Sequence, residues 1–196
     1  MFTGQLQPTY APELNMIGVV AGAPPSQQAE LGASLVGGDF QGYTVMTAAG
    51  LAAAYADLDI TDVLTPAAVD LLDVIETGCT AEIFAAYNPI DYDDIVLTDP
   101  FDIPEWEAVL LDNDTNLRPV EVPLLIIHGG EDEQIPVETS ATLVTQLCAF
   151  ENQGPLVRNV YEGQTHAGVL TTFAAVPDLQ TWVQARFAGE PAPDQC

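Results

Sequence analysis

Residues 122–136 read VPLLIIHGGEDEQIP, and the interpretation of the whole chain turns on them. From 122 to 127 the residues are apolar almost without a break, where a half-exposed strand would alternate. That is the pattern of a strand covered on both faces of a parallel sheet. The run opens directly into a glycine-rich turn, His128-Gly129-Gly130, which delivers the acids Glu131, Asp132 and Glu133. Reactive groups in parallel α/β sheets gather at the carboxyl ends of the strands. The turn is therefore the first place to look for chemistry.

Working outward, residues 139–150 carry Leu143, Val144, Leu147 and Phe150 at helical spacing behind a Ser or Thr cap. Residues 156–161 (LVRNVY) form a further strand, weakened by Arg158 and Asn159. On the amino side, residues 15–21 (NMIGVVA) repeat the buried-strand pattern. Beyond the last strand, Pro177 opens a helix that places Leu179, Trp182, Val183 and Phe187 on one face and stops at Gly189. Residues 26–116 are different. They are mostly helical and apolar-faced: one helix over 43–58, another from Thr65-Pro66 to Gly78 with Val69, Leu72 and Ile75 on one face, and no comparable strand. The expected fold class is α/β: part of a core with three parallel strands and flanking helices, interrupted by an inserted, mostly helical cap. The domain boundaries are 1–25 for the start of the core, 26–116 for the cap and 117–196 for the rest of the core.

The loop after the last strand, Glu162-Gly163-Gln164-Thr165-His166-Ala167-Gly168, delivers one of only two histidines, about 34 residues beyond Asp132. An acid followed by a histidine on the next strand end matches the order Ser, Asp, His of α/β-hydrolases. An imidazole that takes a proton from a hydroxyl and returns it needs its other nitrogen held by a carboxylate, which fixes the tautomer and stabilises the imidazolium. Position alone leaves Glu131 or Glu133 able to serve as the acid in place of Asp132. His128 reads as structural, with its ring bonded locally at the end of a buried strand.

Composition narrows the partners. The 196 residues hold 29 acidic and three basic side chains, Arg118, Arg158 and Arg186, for a formal charge of −26. Such a field repels phosphates and argues against nucleic acid or an anionic membrane as partner. A saline habitat, where salt screens the self-repulsion, and an ordinary acidic protein fit equally well. With 48% hydrophobic residues the chain is long enough to bury roughly 70% of its unfolded surface. No apolar run reaches the length of a membrane-spanning helix, and the first residues show no signal-peptide pattern. Asp112-Asn113-Asp114-Thr115-Asn116 begins like a calcium loop, but Leu117 stands where the glycine belongs and Pro123 where the closing glutamate belongs, so a solvated loop is expected. Asp91, Asp93 and Asp94 read as surface charge. No phosphate loop or zinc-type cysteine pair occurs, and no cofactor is expected. Cys79, Cys148 and Cys196 allow one bridge with an orphan or three free thiols.

Four segments together resemble the secretory lipase family of fungal and bacterial α/β-hydrolases: YAPELNMIGVVAGAPP at 10–25, VPLLIIHGGEDEQIP at 122–136, the 163–168 loop with His166, and the closing WVQARFAGEPAPDQC. The resemblance implies lipase or carboxylesterase chemistry on an acyl ester or lipid, in a secreted protein, with the helical cap over the acyl site. It makes Asp132 the triad acid and His166 the general base, and it pairs Cys148 with Cys196, leaving the mate of Cys79 elsewhere. The family's G-x-S-x-G is missing: the serines are Ser26, Ser34 and Ser140, and the nearest imitation, Gly32-Ala33-Ser34-Leu35-Val36, lacks the second glycine and a preceding strand. In the family that elbow immediately precedes the segment matching 2–7. The expectation is an amino-terminally truncated chain whose nucleophile, oxyanion hole and signal peptide lie in a missing amino-terminal half. A lipid-binding protein without catalysis is the alternative.

Overall fold

The computed structural model describes residues 1–196. In order along the chain are α1 (Phe2–Tyr10), β1 (Val19–Gly22), α2 (Gln28–Leu35), α3 (Gly42–Ala54), α4 (Pro66–Val69), α5 (Asp73–Thr77), α6 (Thr80–Tyr87), α7 (Tyr92–Ile95), α8 (Pro104–Asp112), β2 (Leu124–Gly129), α9 (Val137–Leu147), β3 (Leu156–Tyr161), α10 (Gly168–Thr171) and α11 (Val176–Phe187). They form two compact units: Met1–Gln27 with Asp114–Cys196, and Gln28–Asn113.

The first unit is built on a parallel sheet of order β1-β2-β3, with Val19 opposite Leu124 and Leu124 opposite Leu156. All six residues of central β2 are buried, and successive side chains point to opposite faces. Leu124 and Ile126 pack with Leu143 and Leu147 of α9, while Leu125 and Ile127 pack with Val169 of α10 and Ala175, flanked by Leu179 and Trp182 of α11. Both parities are thus apolar, which explains the unbroken hydrophobic run; each such side chain contributes about 1.5–3 kcal/mol by leaving water. Arg158, the interruption in β3, lies on the α9 face and is not idle there. Its Nε donates to the Ser140 hydroxyl at 2.7 Å and its NH2 group to the Val137 carbonyl at 2.7 Å.

The outer edge of β3 is occupied by the carboxyl-terminal tail. The Gln195 amide donates to the Leu156 carbonyl at 2.8 Å, the Gln195 side chain accepts from the Arg158 amide at 2.9 Å, and a Cys148–Cys196 disulfide anchors the end. A strand edge with free amides and carbonyls invites foreign pairing, and the tail removes that opportunity here. On α11 the expected face is only partly used. Trp182 packs against the sheet, Phe187 is exposed, and the buried residue is Arg186, whose guanidinium stacks over the Trp182 ring and donates to the carbonyls of Glu190 and Pro191. The 112–116 segment is not simply solvated either. Asp114 and Thr115 are buried, and Thr115 donates to the Pro25 carbonyl.

The second unit consists of α2 to α8 around a core that includes Val45, Leu64, Ala68, Ile83, Tyr87, Ile95 and Trp106. Buried Tyr87 is satisfied by donating its hydroxyl to the Ala68 carbonyl at 3.0 Å. The single helix expected from Thr65 to Gly78 is two. At Leu71 and Leu72 the amides bond three residues back, to Ala68 and Val69, and this tighter winding separates α4 from α5. An apolar cleft lies within this unit, lined by Leu31, Leu35, Leu51, Phe101, Trp106 and Leu110 among others.

Candidate active site

Two loops leave the carboxyl ends of β2 and β3 side by side because glycine lets their backbones touch. A Cβ on Gly129 would stand 2.4 Å from the Gln164 carbonyl oxygen and 2.7 Å from that of Thr165, so only glycine fits. Backbone bonds then join the loops: the Gly130 amide to the Tyr161 carbonyl and the Glu131 amide to the Gln164 carbonyl, both at 2.9 Å. Gly163, at φ +70°, turns the second loop back in a conformation that side chains disfavour.

On this frame Asp132 and His166 meet. Oδ2 of Asp132 lies 2.8 Å from Nδ1 of His166. The carboxylate side chain has no solvent exposure, whereas the imidazole is 34% exposed. Oδ1 accepts the amides of Gln134 at 2.9 Å and Ile135 at 2.8 Å, which locks the carboxylate rotamer. Burial opposes ionisation of Asp132. The bond from His128, the Ile135 and Gln134 amides and the bond from His166 together outweigh burial and bring its pKa down to about 2. A carboxylate beside Nδ1 requires the proton on that nitrogen, so neutral His166 presents Nε2 with its lone pair free for a proton. Of the neighbouring acids, Glu133 accepts the His166 backbone amide at 3.0 Å, holding the loop instead of the ring, and Glu131 is exposed.

The chemistry this permits is proton removal from a hydroxyl placed at Nε2, with the imidazolium stabilised by Asp132. The serines here do not fit the nucleophile's place. Ser34 sits inside α2 with its hydroxyl bonded to the Leu31 carbonyl at 2.7 Å, and no strand leads into it. Ser26 and Ser140 are buried, their hydroxyls 3.4 Å from the Thr139 carbonyl and 3.0 Å from the Val137 carbonyl.

The far side of Asp132 holds a second imidazole that sequence pattern did not connect to it. His128 is fully buried; its Nδ1 lies 2.8 Å from the Ser140 hydroxyl, and its Nε2 lies 3.0 Å from the Ile135 carbonyl and 3.3 Å from Oδ2 of Asp132. Both histidines of the chain therefore converge on one carboxylate. Strand parity was the available signal, because His128 shares the face of Leu124 and Ile126, toward α9 and Ser140.

Three parallel strands with helices on both faces, and an acid and a histidine meeting at their carboxyl ends, make up an α/β-hydrolase core. The fold agrees with that of Candida antarctica lipase A, whose crystal structure superposes with a TM-score of 0.84 at 21% identity, over 100% of this chain and 47% of that one. The chain belongs to the secretory lipase family, whose model matches residues 1–195. Among its relatives are lipase 6 of Candida albicans, 27% identical over 97% of this chain and 44% of that protein, and secreted triacylglycerol lipase LIP2 of Malassezia globosa, 26% identical over 100% and 45%. The chain thus spans less than half the length of these relatives.

Proposed function

We propose that these residues are the acid–base half of a secreted lipase or carboxylesterase, in which Asp132 orients His166 and His166 serves a serine carried outside this sequence. The observation that carries the reading is the buried carboxylate 2.8 Å from Nδ1 of a partly exposed imidazole at adjoining strand ends. In the reaction, Nε2 of His166 accepts the hydroxyl proton as the serine oxygen attacks the ester carbonyl, then returns it to the departing alcohol. Water repeats the cycle on the acyl-enzyme, with His166 again as base. Throughout, Asp132 stays ionised, and its position keeps the imidazolium from drifting. The names of the relatives, with triacylglycerol lipases among them, support an acyl-ester or lipid substrate and secretion. A disulfide is in keeping with an oxidising compartment.

The 28–113 unit is the proposed cap, and its apolar cleft the seat of an acyl chain. Cys79, exposed and unbridged here, is assigned a partner in the remaining part of the protein. The same cleft favours a second reading, a lipid carrier without catalysis. Expression of the reading frame extended upstream separates the two. A G-x-S-x-G serine that reacts with a serine-directed phosphonate, together with hydrolysis of p-nitrophenyl esters, is the expected result. An upstream stop codon, or an extended protein that binds fatty acid yet neither reacts nor hydrolyses, would overturn the enzymatic reading.

A further inference from the structure

The buried side of the carboxylate carries a second imidazole that the acyl-transfer scheme does not use. Nε2 of His128 faces two acceptors, the Ile135 carbonyl at 3.0 Å and Oδ2 of Asp132 at 3.3 Å, so that nitrogen must carry a proton. Its Nδ1 is then the acceptor in the neutral ring, 2.8 Å from the Ser140 hydroxyl; the Val137 carbonyl, 3.0 Å from the same hydroxyl, already accepts from the NH2 group of Arg158 at 2.7 Å, which leaves the single hydroxyl hydrogen to His128. Nε of Arg158 donates to the same hydroxyl oxygen at 2.7 Å, turning its hydrogen away from the guanidinium. A continuous chain results: Arg158 to Ser140 to His128 to Asp132, ending on His166.

We propose that His128 is a positioning residue for the acid–base pair: held in the Nε2–H tautomer by Ser140 and Arg158, it donates into Oδ2 of Asp132 and so fixes both the direction and the strength of the bond that this oxygen makes to His166. The proposal rests on the acid–base assignment of the preceding subsection, and it adds a third side chain to it. Oδ2 is a shared acceptor. Electron density committed to His128 is withheld from His166, so the proton at Nδ1 stays with the ring instead of passing toward the carboxylate. The other charged groups near this chain are Glu133, which binds the His166 amide, and Glu138, whose charge acts on Arg158. Neither reaches the His128 ring. Nothing in the scheme moves a proton through His128, which distinguishes a positioning role from a relay.

Two histidines in the chain make the test direct, because every imidazole resonance belongs to one or the other. Nitrogen-15 spectra of the protein should report His128 as the Nε2–H tautomer, with a deshielded His166 Nδ1 proton. In His128→Phe the carboxylate loses its second donor, and the His166 Nδ1 proton should move downfield. In His128→Gln an amide N–H replaces Nε2–H, and the resonance should return to its wild-type position. Should His128→Phe fail to fold, Ser140→Ala, which removes the group holding the tautomer, should displace the His166 Nδ1 resonance by itself. In the upstream-extended protein, His128→Phe should lower kcat about tenfold, the scale of one hydrogen bond to a charged group, and leave KM unchanged, while His128→Gln keeps kcat. An Nδ1–H tautomer at His128, or a His166 resonance that ignores both His128→Phe and Ser140→Ala, overturns the proposal. The spectra need no turnover. They can fail while the lipase reading stands, and a protein without esterase activity can still display the coupling.

Discussion

Replacing Asp132 by Asn keeps the shape of the side chain and removes its charge, and the consequence for folding can be worked from the geometry. The wild-type carboxylate accepts four N–H groups, two from backbone and two from imidazoles, inside a pocket closed to solvent. Held from an ordinary 3.8 down to about 2, its ionised form contributes roughly 2 kcal/mol to folding at about 1.4 kcal/mol per pH unit. The sign follows from the lowered value. The contribution is complete above the unfolded-state pKa near 4 and is lost as pH falls through the folded-state value near 2. An asparagine contributes no such pH-dependent stability, and its amide sets N–H groups against the N–H groups of the two imidazoles. Urea unfolding of wild type and Asp132→Asn, followed by far-UV circular dichroism from pH 7 to pH 2, should give a gap of about 2 kcal/mol that is constant down to about pH 5 and then closes. Subtracting the variant cancels the other 28 acidic groups, which titrate in both proteins. A gap that stays flat to pH 2, or that widens on acidification, would refute the account of what holds Asp132 ionised.

Three further outcomes follow from particular contacts. Cys196→Ser opens the 48-residue bridge to Cys148 and should cost about 2–4 kcal/mol, with faster hydrogen exchange at the amides of Leu156 and Arg158 once the tail leaves the β3 edge. Gly129→Ala drives a methyl group into the Gln164 carbonyl, so thermal unfolding should show a loss of about 1–3 kcal/mol, and the His166 Nδ1 resonance should weaken as the two loops part. Ser34→Ala, which removes a bond inside a helix and nothing else, should leave phosphonate labelling and ester hydrolysis by the upstream-extended protein unchanged.

Most of the core was legible because its elements announce themselves through periodicity. A strand buried on both faces can hardly read otherwise than residues 122–127 do, and Asp132 and His166 meet just past the strand ends, where parallel sheets gather such groups. β2 extends to Gly129, two residues past the apolar run, because a histidine with a buried partner and a glycine under a crossing loop can occupy strand positions without being apolar. Arg158 looked like a defect in β3, although it is the start of the polar chain that reaches Asp132, and no local pattern tells a solvated arginine from one aimed at a buried hydroxyl. Phe187 misled in the opposite direction, since helical spacing places it beside Trp182 but cannot say where the sheet beneath it ends. Choosing Asp132 over Glu131 and Glu133 needed coordinates or the family pattern, because three successive acids differ only in which one the turn points inward.

The proposed proton transfer runs through His166. Purified from the gene extended upstream, the protein carrying His166→Ala should retain its fold by circular dichroism and lose about 10³-fold or more of kcat on a p-nitrophenyl ester, with little change in KM. Hydrolysis that continues at the wild-type rate without this imidazole would contradict its role as the general base, however close Asp132 lies to it.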